Sequence, residues 1–169
     1  MTLWYKEMKS PVGKLTLVAN LRALVAICWE EERRNRAKLG AMSRDPRHPI
    51  LIKAERQLSE YFTGDRFQFD LPLQVKGTPF QERVWRALRE IPYGKTKSYL
   101  DVARAVGSPK ACRAVGAANG KNPLSIVVPC HRVIGADGSL TGFAGGLETK
   151  AALLALETGA KARGNLTVL

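Results

Sequence analysis

The hydrophobic pattern of this chain changes near residue 75, and this change constrains the fold more than any other feature. Before it, apolar and polar residues alternate over residues 14–19, and an apolar run covers residues 24–29, as in β-strands. After it, apolar residues recur at helical spacing between Phe80 and Leu88. The sequence therefore predicts a small α/β unit followed by a mainly helical unit.

One helix and one further strand are predicted in the first of these units. Residues 49–62 have helical character, and Gly64 is placed to end the helix. Residues 67–73 alternate as a strand, whereas the charged residues 31–47 predict a loop with a short helix. The apolar face of the helix is expected to carry Ile52, Leu58, Tyr61 and Phe62.

Three short helices are predicted in the second unit. Residues 78–81 place threonine at an N-cap, proline in the first turn and glutamine three residues after the cap, and this helix ends before Pro92. A second helix follows over residues 98–106 and a third over residues 109–119. Two short helices joined by a Gly-Ser turn at residues 107–108 are typical of a helix-turn-helix.

The chain carries a large positive charge, with 27 Lys and Arg against 15 Asp and Glu and a net charge of +12. The excess is concentrated in residues 76–169, which hold 14 basic and 6 acidic residues. Such a distribution indicates a polyanion partner on the second unit, with nucleic acid as the best candidate. Charge alone also leaves open a basic protein without such a partner.

The cysteines, Cys28, Cys112 and Cys130, are odd in number and lack the spacing of a disulfide framework. Together with only two histidines, they show no zinc-binding spacing, so we expect no metal. The longest apolar runs are too short to span a membrane. We therefore expect a cytoplasmic protein in a reducing environment, with no membrane partner.

The clearest sign of chemistry is Cys130 followed by His131 and Arg132, at the end of the apolar run 126–128. A thiol reacts as its thiolate, which a nearby imidazole and guanidinium both favour. On extended backbone the two neighbouring side chains would point to opposite faces, so we expect a bridging water between them. Glu157, in a helix predicted over residues 147–157, is a candidate to orient His131. An inert buried thiol and a solvated glutamate remain the alternatives.

Residues 110–120 read KACRAVGAANG and are dominated by small side chains. A helix that reads base sequence would carry several long polar side chains, which this one lacks. It is either a tightly packed core helix or a smooth helix that lies in a narrow groove. In the second case Arg113 would reach into the base stack.

Three blocks in the second unit, IPYGKTKSY, ACRAVGAANGKNPLSIVVPCHRVIG and TGFAGG, closely resemble the O6-alkylguanine-DNA alkyltransferases, particularly the constitutive bacterial type. The resemblance runs through most of residues 78–157, and residues 1–75 are less diagnostic. It implies an α/β plus α fold. An N-terminal RNase H-like α/β domain would span residues 1–75, and a winged helix-turn-helix-type domain would span residues 78–163.

The resemblance also implies a role for each matching residue. Cys130 would accept the alkyl group, and His131 would act through a water to form the thiolate. Glu157 would orient His131, and Tyr99 would help rotate the nucleotide and donate a proton to the departing guanine. Arg113 would fill the gap that the flipped base leaves. The other implied DNA-binding residues are Lys110, Ala114, Gly116 and Asn119.

The remaining implied residues surround the base. Asn122 would brace the turn between the recognition helix and the active-site strand. Backbone groups of Cys130, Val133 and Ala144 would line the pocket, and Phe143 and Gly145 would lie in the loop that closes it. Ala144 stands where some members of the family have serine, so hydrogen bonds from this position would come from the backbone alone.

The implied activity is single-turnover repair of O6-alkylguanine, and of O4-alkylthymine, after the base is flipped out of double-stranded DNA. Because an S-alkyl cysteine has no hydrolytic route back to the thiol, each chain would react once. The methyltransferase would act as a monomer and without a cofactor. Three alternative functions are considered beside this one. They are a binding module that senses alkylated DNA, a cysteine hydrolase, which needs an oxyanion hole, and a transcription regulator, which needs base-reading side chains.

Overall fold

The computed structural model describes residues 2–30 and 39–168, with side chains as far as residue 159. The chain forms two compact units. The first unit comprises Met1–Lys76 with Pro123–Ser125, and the second comprises Gly77–Asn122 with Ile126–Leu169. A three-residue segment from the middle of the second unit's sequence therefore belongs to the first unit.

A four-stranded sheet forms the centre of the first unit. It consists of β1 (Trp4–Met8), β2 (Leu15–Ala19), β3 (Leu24–Trp29) and β4 (Ser43–Arg44), in the order β3-β2-β1-β4. The first three strands pair antiparallel, and β4 pairs parallel with β1. The strands predicted over residues 14–19 and 24–29 are thus confirmed, whereas β1 was not predicted.

The described residues of the first unit contain one helix, α1 (Pro49–Phe62), and it has the predicted bounds. Its Leu51, Leu58 and Tyr61 are buried, so one face packs in the core. The prediction that Ile52 lies on this face is wrong, because Ile52 is 46% exposed. Residue 52 is rotated by about 100° from residue 51 around the helix axis, which carries it away from the buried stripe.

Residues 67–73 do not form the predicted strand. Only Leu73 makes a bridge, parallel with Leu24. The physical reason is that the Gln57 side chain makes the hydrogen bonds that a neighbouring strand would make. It donates to the Asp70 carbonyl at 3.0 Å and accepts from the Asp70 N–H at 2.9 Å. Of the loop and short helix predicted over residues 31–47, residues 31–38 lie outside the described residues, and residues 43–44 form β4.

As far as residue 168, the second unit contains four α-helices, α2 (Pro79–Arg89), α3 (Tyr99–Ala105), α4 (Cys112–Gly120) and α5 (Leu147–Val168). A short parallel pair, β5 (Lys97–Ser98) and β6 (Val133–Ile134), accompanies them. Among the side chains that are described, as far as residue 159, the buried apolar residues of these helices are Val84, Trp85, Leu88, Val102, Ala103, Val115, Ala118 and Leu153. In the described part of the chain, no helix has both the length and the apolar character needed to cross a membrane.

The helix starts predicted at Thr78 and Ser98 are confirmed as capping boxes. The Thr78 hydroxyl accepts from the Gln81 N–H at 3.1 Å, and the Gln81 side chain accepts from the Thr78 N–H at 2.9 Å. The third helix begins at Cys112 rather than at residue 109. Residues 109–110 form a turn instead, because the Ala111 N–H donates to the Ser108 carbonyl at 2.9 Å.

Candidate active site

Cys130 does not end a strand, as predicted, but begins a 3₁₀ turn over Cys130–Arg132. Pro129 has φ −81° and ψ 65°, and the Cys130 N–H donates to the Val128 carbonyl at 2.8 Å, which is an inverse γ-turn. The chain also turns at Ile126, three residues before Pro129, where φ is +76°. These turns bury both Cys130, at 3% exposure, and His131, at 0%.

The His131 ring is held by Glu157 from α5, with 2.6 Å between Nε2 and Oε2. A carboxylate can only accept, so the ring proton is assigned to Nε2 and the lone pair of the neutral ring to Nδ1. Nδ1 is buried, and among the described residues it has no hydrogen-bond partner. In this tautomer the His131 ring can itself accept a proton at Nδ1.

Glu157 is also bound by Arg132 and by the backbone. Arg132 Nε donates to Oε1 at 2.8 Å and Nη2 to Oε2 at 3.0 Å, and the Gly94 N–H donates to Oε1 at 3.2 Å. Burial alone would raise the pKa of this carboxyl, but the hydrogen bonds and charges of His131 and Arg132 lower the pKa to about 2. Glu157 is therefore a carboxylate throughout the physiological range, although it is 1% exposed.

The His131 imidazole is kept neutral by its surroundings. Burial lowers its pKa below the ordinary value, and the positive charges of Arg132 and Lys150 lower it further, against the opposing effect of Glu157. A neutral imidazole with its lone pair on Nδ1 can take a proton from a thiol directly or through a water. The arrangement can thus generate a thiolate at a buried position.

Two asparagines support the backbone around the thiol. Asn122 Nδ2 donates to the Val128 carbonyl at 2.8 Å, and its role as a brace stays a prediction. Asn119 Nδ2 donates to the Cys130 carbonyl at 3.3 Å, and Asn119 is 3% exposed. The expectation that Asn119 contacts DNA does not fit this placement, because its side chain points into the unit rather than to the surface.

One face of α4 is packed and another is exposed, so the core interpretation holds for the packed face, while the approach of the exposed face to a groove stays a prediction. Val115, Ala118 and Asn119 are buried, and Trp85 Nε1 donates to the Ala118 carbonyl at 2.8 Å. Arg113 and Ala114 are exposed, as is Lys110 in the preceding turn. Gly116 is half-buried, and a Cβ built on it would lie 3.8 Å from the Tyr99 ring.

The predicted pocket residues lie in β6 and in the loop before α5. Val133 is buried, whereas Phe143, Ala144 and Gly145 are half-buried. Tyr99, the first residue of α3, reaches this loop, with 2.6 Å between its hydroxyl oxygen and Thr141 Oγ1. The structure thus brings Tyr99 to the loop that is predicted to close the base pocket, a contact that no sequence spacing indicated.

Sequence reasoning missed Lys150, and it did not predict the hydrogen bonds from Arg132 to Glu157. Lys150 is fully buried, and its Nζ donates to the carbonyls of Val133 at 2.6 Å and Thr141 at 3.0 Å. Lys150, Leu153 and Glu157 are spaced i, i+3 and i+7, so the helical face of Glu157 could have revealed it. Among the described residues, no cluster of three or more His, Cys, Asp or Glu side chains is arranged to hold a metal ion.

Both parts of the chain match models of known protein domains. Residues 79–159 match the model of the 6-O-methylguanine DNA methyltransferase DNA binding domain, and residues 3–75 match that of the ribonuclease-like domain. A methylated-DNA–protein-cysteine methyltransferase of Mycolicibacterium paratuberculosis is 48% identical over 153 residues, covering 90% of this chain and 91% of the relative. The constitutive enzyme of Bacillus subtilis is 47% identical over 156 residues, covering 91% and 94%.

The similarity extends to solved structures. The crystal structure of Mycobacterium tuberculosis OGT in complex with DNA aligns with a TM-score of 0.85 at 46% identity, and covers 93% of this chain and 94% of that one. The predicted resemblance and the predicted fold class, a ribonuclease-like α/β domain before a DNA-binding domain, are confirmed by these matches. Through relatives that cover nine-tenths of its length, the chain belongs to the 6-O-methylguanine DNA methyltransferase family.

Proposed function

We propose that this protein repairs DNA by moving the alkyl group of O6-alkylguanine, or of O4-alkylthymine, onto Cys130 in a single turnover. The observation that carries this proposal is the buried arrangement of Cys130, His131 and Glu157 in a chain of this family. Its activity is that of a methylated-DNA–protein-cysteine methyltransferase. Residues 1–75 and 78–163 would be its two domains, with the reaction carried by the second.

The first chemical step is formation of the thiolate. The Cys130 proton passes through a bridging water to His131 Nδ1, and the imidazolium that results is stabilised by the Glu157 carboxylate on the other ring nitrogen. Arg132, which binds both oxygens of Glu157, fixes the carboxylate in place. Burial lowers the pKa of Lys150, and a charged Cys130 opposes this effect, so the Lys150 ammonium and the Cys130 thiolate favour each other.

The second step is an in-line displacement at the alkyl carbon. The Cys130 sulfur forms a bond to this carbon while the bond to guanine O6 breaks, and its electron pair goes to the purine. Tyr99 donates its phenolic proton to the purine, so that neutral guanine leaves; such proton transfer contributes about 10²–10⁴ in rate. The thioether product has no carbonyl for water to attack, so each chain reacts once.

The proposed partner is double-stranded DNA, which a chain of net charge +12 binds through its phosphates. The exposed side of α4, with Ala114 and the long side chain of Arg113, would enter the minor groove. Arg113 would occupy the space of the flipped base, and Lys110 would contact a phosphate. We also propose that the protein acts as a monomer in the reducing cytoplasm.

The test is the intact mass of the protein after incubation with a duplex that contains O6-methylguanine. We expect the mass of one methyl group, located on Cys130 by peptide mapping and never exceeding one per chain. Cys130→Ala should gain nothing, whereas Cys112→Ala, which removes a half-buried thiol at the start of α4, should react normally. Duplex binding without mass gain would favour the damage-sensing module, and repeated turnover of an ester without modification would favour a hydrolase.

A further inference from the structure

Thr141 lies in the loop between β6 and α5, where its hydroxyl meets the Tyr99 phenol. The two oxygens are 2.6 Å apart, a short hydrogen bond between residues 42 positions apart in sequence. Tyr99 is fixed at the start of α3 by the capping box of Ser98 and Asp101. The contact therefore joins the loop to an element whose position is set independently of it.

The backbone of Thr141 is itself anchored. Its carbonyl accepts from Lys150 Nζ at 3.0 Å, and the same nitrogen donates to the Val133 carbonyl at 2.6 Å. Lys150 is fully buried, and Val133 follows Cys130 by three residues. The Thr141 hydroxyl is thus held at a fixed place relative to the segment that carries the thiol.

The Tyr99 ring is confined on another side by α4. A Cβ on Gly116 would lie 3.8 Å from Tyr99 Cε1, so the glycine backbone runs alongside the ring. With the ring against α4 and the hydroxyl oxygen against Thr141, the remaining freedom of this side chain is the direction of its O–H bond. That direction decides whether the phenol proton is available to a substrate.

We propose that Thr141 is a positioning residue for alkyl transfer, donating its hydroxyl proton to the Tyr99 oxygen and thereby directing the phenol proton to the departing base. The inference rests on the proposed function. Each hydroxyl has one proton, so a Tyr99 that accepts from Thr141 keeps its own proton for transfer. As the C–O6 bond breaks, that proton moves to the purine, and the phenolate left behind is stabilised by the Thr141 hydrogen bond until solvent reprotonates it.

The experiment measures single-turnover rates of methyl transfer from an O6-methylguanine duplex. Thr141→Val removes the hydroxyl at nearly constant shape and should slow transfer about tenfold, the effect of one lost hydrogen bond. Thr141→Ser restores the hydroxyl and should recover most of the rate. Thr158→Val is the matched control, because the Thr158 hydroxyl donates to the Leu154 carbonyl on α5, and it should react at the wild-type rate.

Two further measurements separate positioning from a structural effect. In a Tyr99→Phe background, Thr141→Val should cause no additional loss, since Thr141 acts only through the phenol. Methylation of Cys130 by iodomethane needs the thiolate but no proton donor, so its rate should be equal in wild type and Thr141→Val. An equal tenfold loss in the Tyr99→Phe background, or with iodomethane, would overturn the inference.

The outcome also distinguishes this inference from the proposed function. Transfer by Thr141→Val at the wild-type rate would overturn the role of Thr141 alone. A wild-type protein that takes no methyl group from the duplex would instead overturn the proposed function, and the role of Thr141 with it.

Discussion

Glu157 shows at the level of one residue how this site depends on a buried charge. Its carboxylate accepts from His131, Arg132 and the Gly94 N–H while it is 1% exposed. These hydrogen bonds make the buried charge of Glu157 tolerable. If one member of this group is changed, the charge of another is left without compensation in a medium of low dielectric constant. The same contacts set the tautomer of His131, so stability and reactivity should fall together.

Replacing Glu157 with glutamine tests this dependence. Glu157→Gln leaves the Arg132 guanidinium buried without its counter-charge, and should lower the free energy of unfolding by about 3–5 kcal/mol. Methyl transfer should slow by about 10²-fold or more, because the ring loses its orienting carboxylate. Urea unfolding and single-turnover transfer measure the two effects.

The control is Glu60→Gln, which breaks the surface pair of Glu60 with Arg66. Exposed pairs contribute about 0–1 kcal/mol, so this variant should be nearly as stable as wild type and fully reactive. Equal losses of stability in the two variants would contradict the importance assigned to the buried carboxylate.

The stability of the protein should fall as the pH is lowered below neutrality. The folded-state pKa of His131 lies below its ordinary value of 6.5 because the ring is buried, so the unfolded chain binds this proton first. Stability therefore decreases as the pH falls from about 6.5 towards the folded-state pKa. Glu157 adds a second decrease between its ordinary value of 4.5 and about 2.

Urea unfolding at pH 7.5, 6.5 and 5.5 measures the first of these decreases. His131→Asn removes the titrating ring, so its stability should change less over this interval than that of the wild type. A wild-type stability that is constant or higher at pH 5.5 would contradict the buried neutral imidazole.

Among the elements, α4 combines a packed face with a smooth exposed one, and its exposed face is open to test. Ala114→Leu adds a bulky side chain where Ala114 is exposed, so stability should change by no more than about 0.5 kcal/mol. If this face lies close to DNA, duplex affinity and methyl transfer should both fall, because the added side chain holds the surfaces apart. Fluorescence anisotropy with a labelled duplex measures the affinity.

Ala151→Leu is the matched change on an exposed position of α5. It should leave both affinity and transfer at the wild-type level. Unaltered binding by Ala114→Leu, or equally weakened binding by both variants, would exclude α4 as the element that approaches the duplex.

The elements that sequence reasoning located well are those whose signals are local. The caps at Thr78 and Ser98 and the bounds of α1 follow from a few neighbouring residues, and the structure agrees with each. The predicted start of α4 was wrong because the Ala111 N–H donates to the Ser108 carbonyl in a turn, which no helix propensity indicates.

Errors arose where a distant residue decides the local conformation. The alternation over residues 67–73 resembles a strand, but the Gln57 side chain satisfies the backbone of Asp70 in place of a neighbouring strand. The apolar run 126–128 also resembles a strand, yet Ile126 has a φ of +76° and the chain turns twice before Cys130. In the site, Cys130 and His131 were evident from adjacency, whereas the Tyr99–Thr141 contact depends on tertiary packing.

For the whole molecule, the net charge of +12 predicts strongly salt-dependent binding to DNA. Each phosphate contact contributes about −0.9 to the slope of log K against log salt concentration. Lys110→Ala should reduce the slope by about that amount and weaken binding equally for all sequences, if Lys110 contacts a phosphate. Lys53→Ala, on α1 of the first unit beside Asp70, should leave the slope unchanged.

A reduced slope for both lysine variants would mean that the first unit also contacts the phosphates. An unchanged slope for Lys110→Ala would remove this residue from the proposed DNA-binding surface. Either result would be obtained with unmodified duplex, so it would not depend on the transfer reaction.

The order of synthesis has a consequence for the first unit. In the described residues β3 is an edge strand of the sheet. Leu24 forms a bridge with Leu73, whereas Ile27 forms a bridge with Leu124 and the Trp29 indole donates to Ser125. A ribosome that has completed residue 76 must add all of residues 77–122 before this edge can be covered, which takes about a few seconds. During that interval the nascent chain presents an open strand edge, the surface on which chaperones act and aggregation begins.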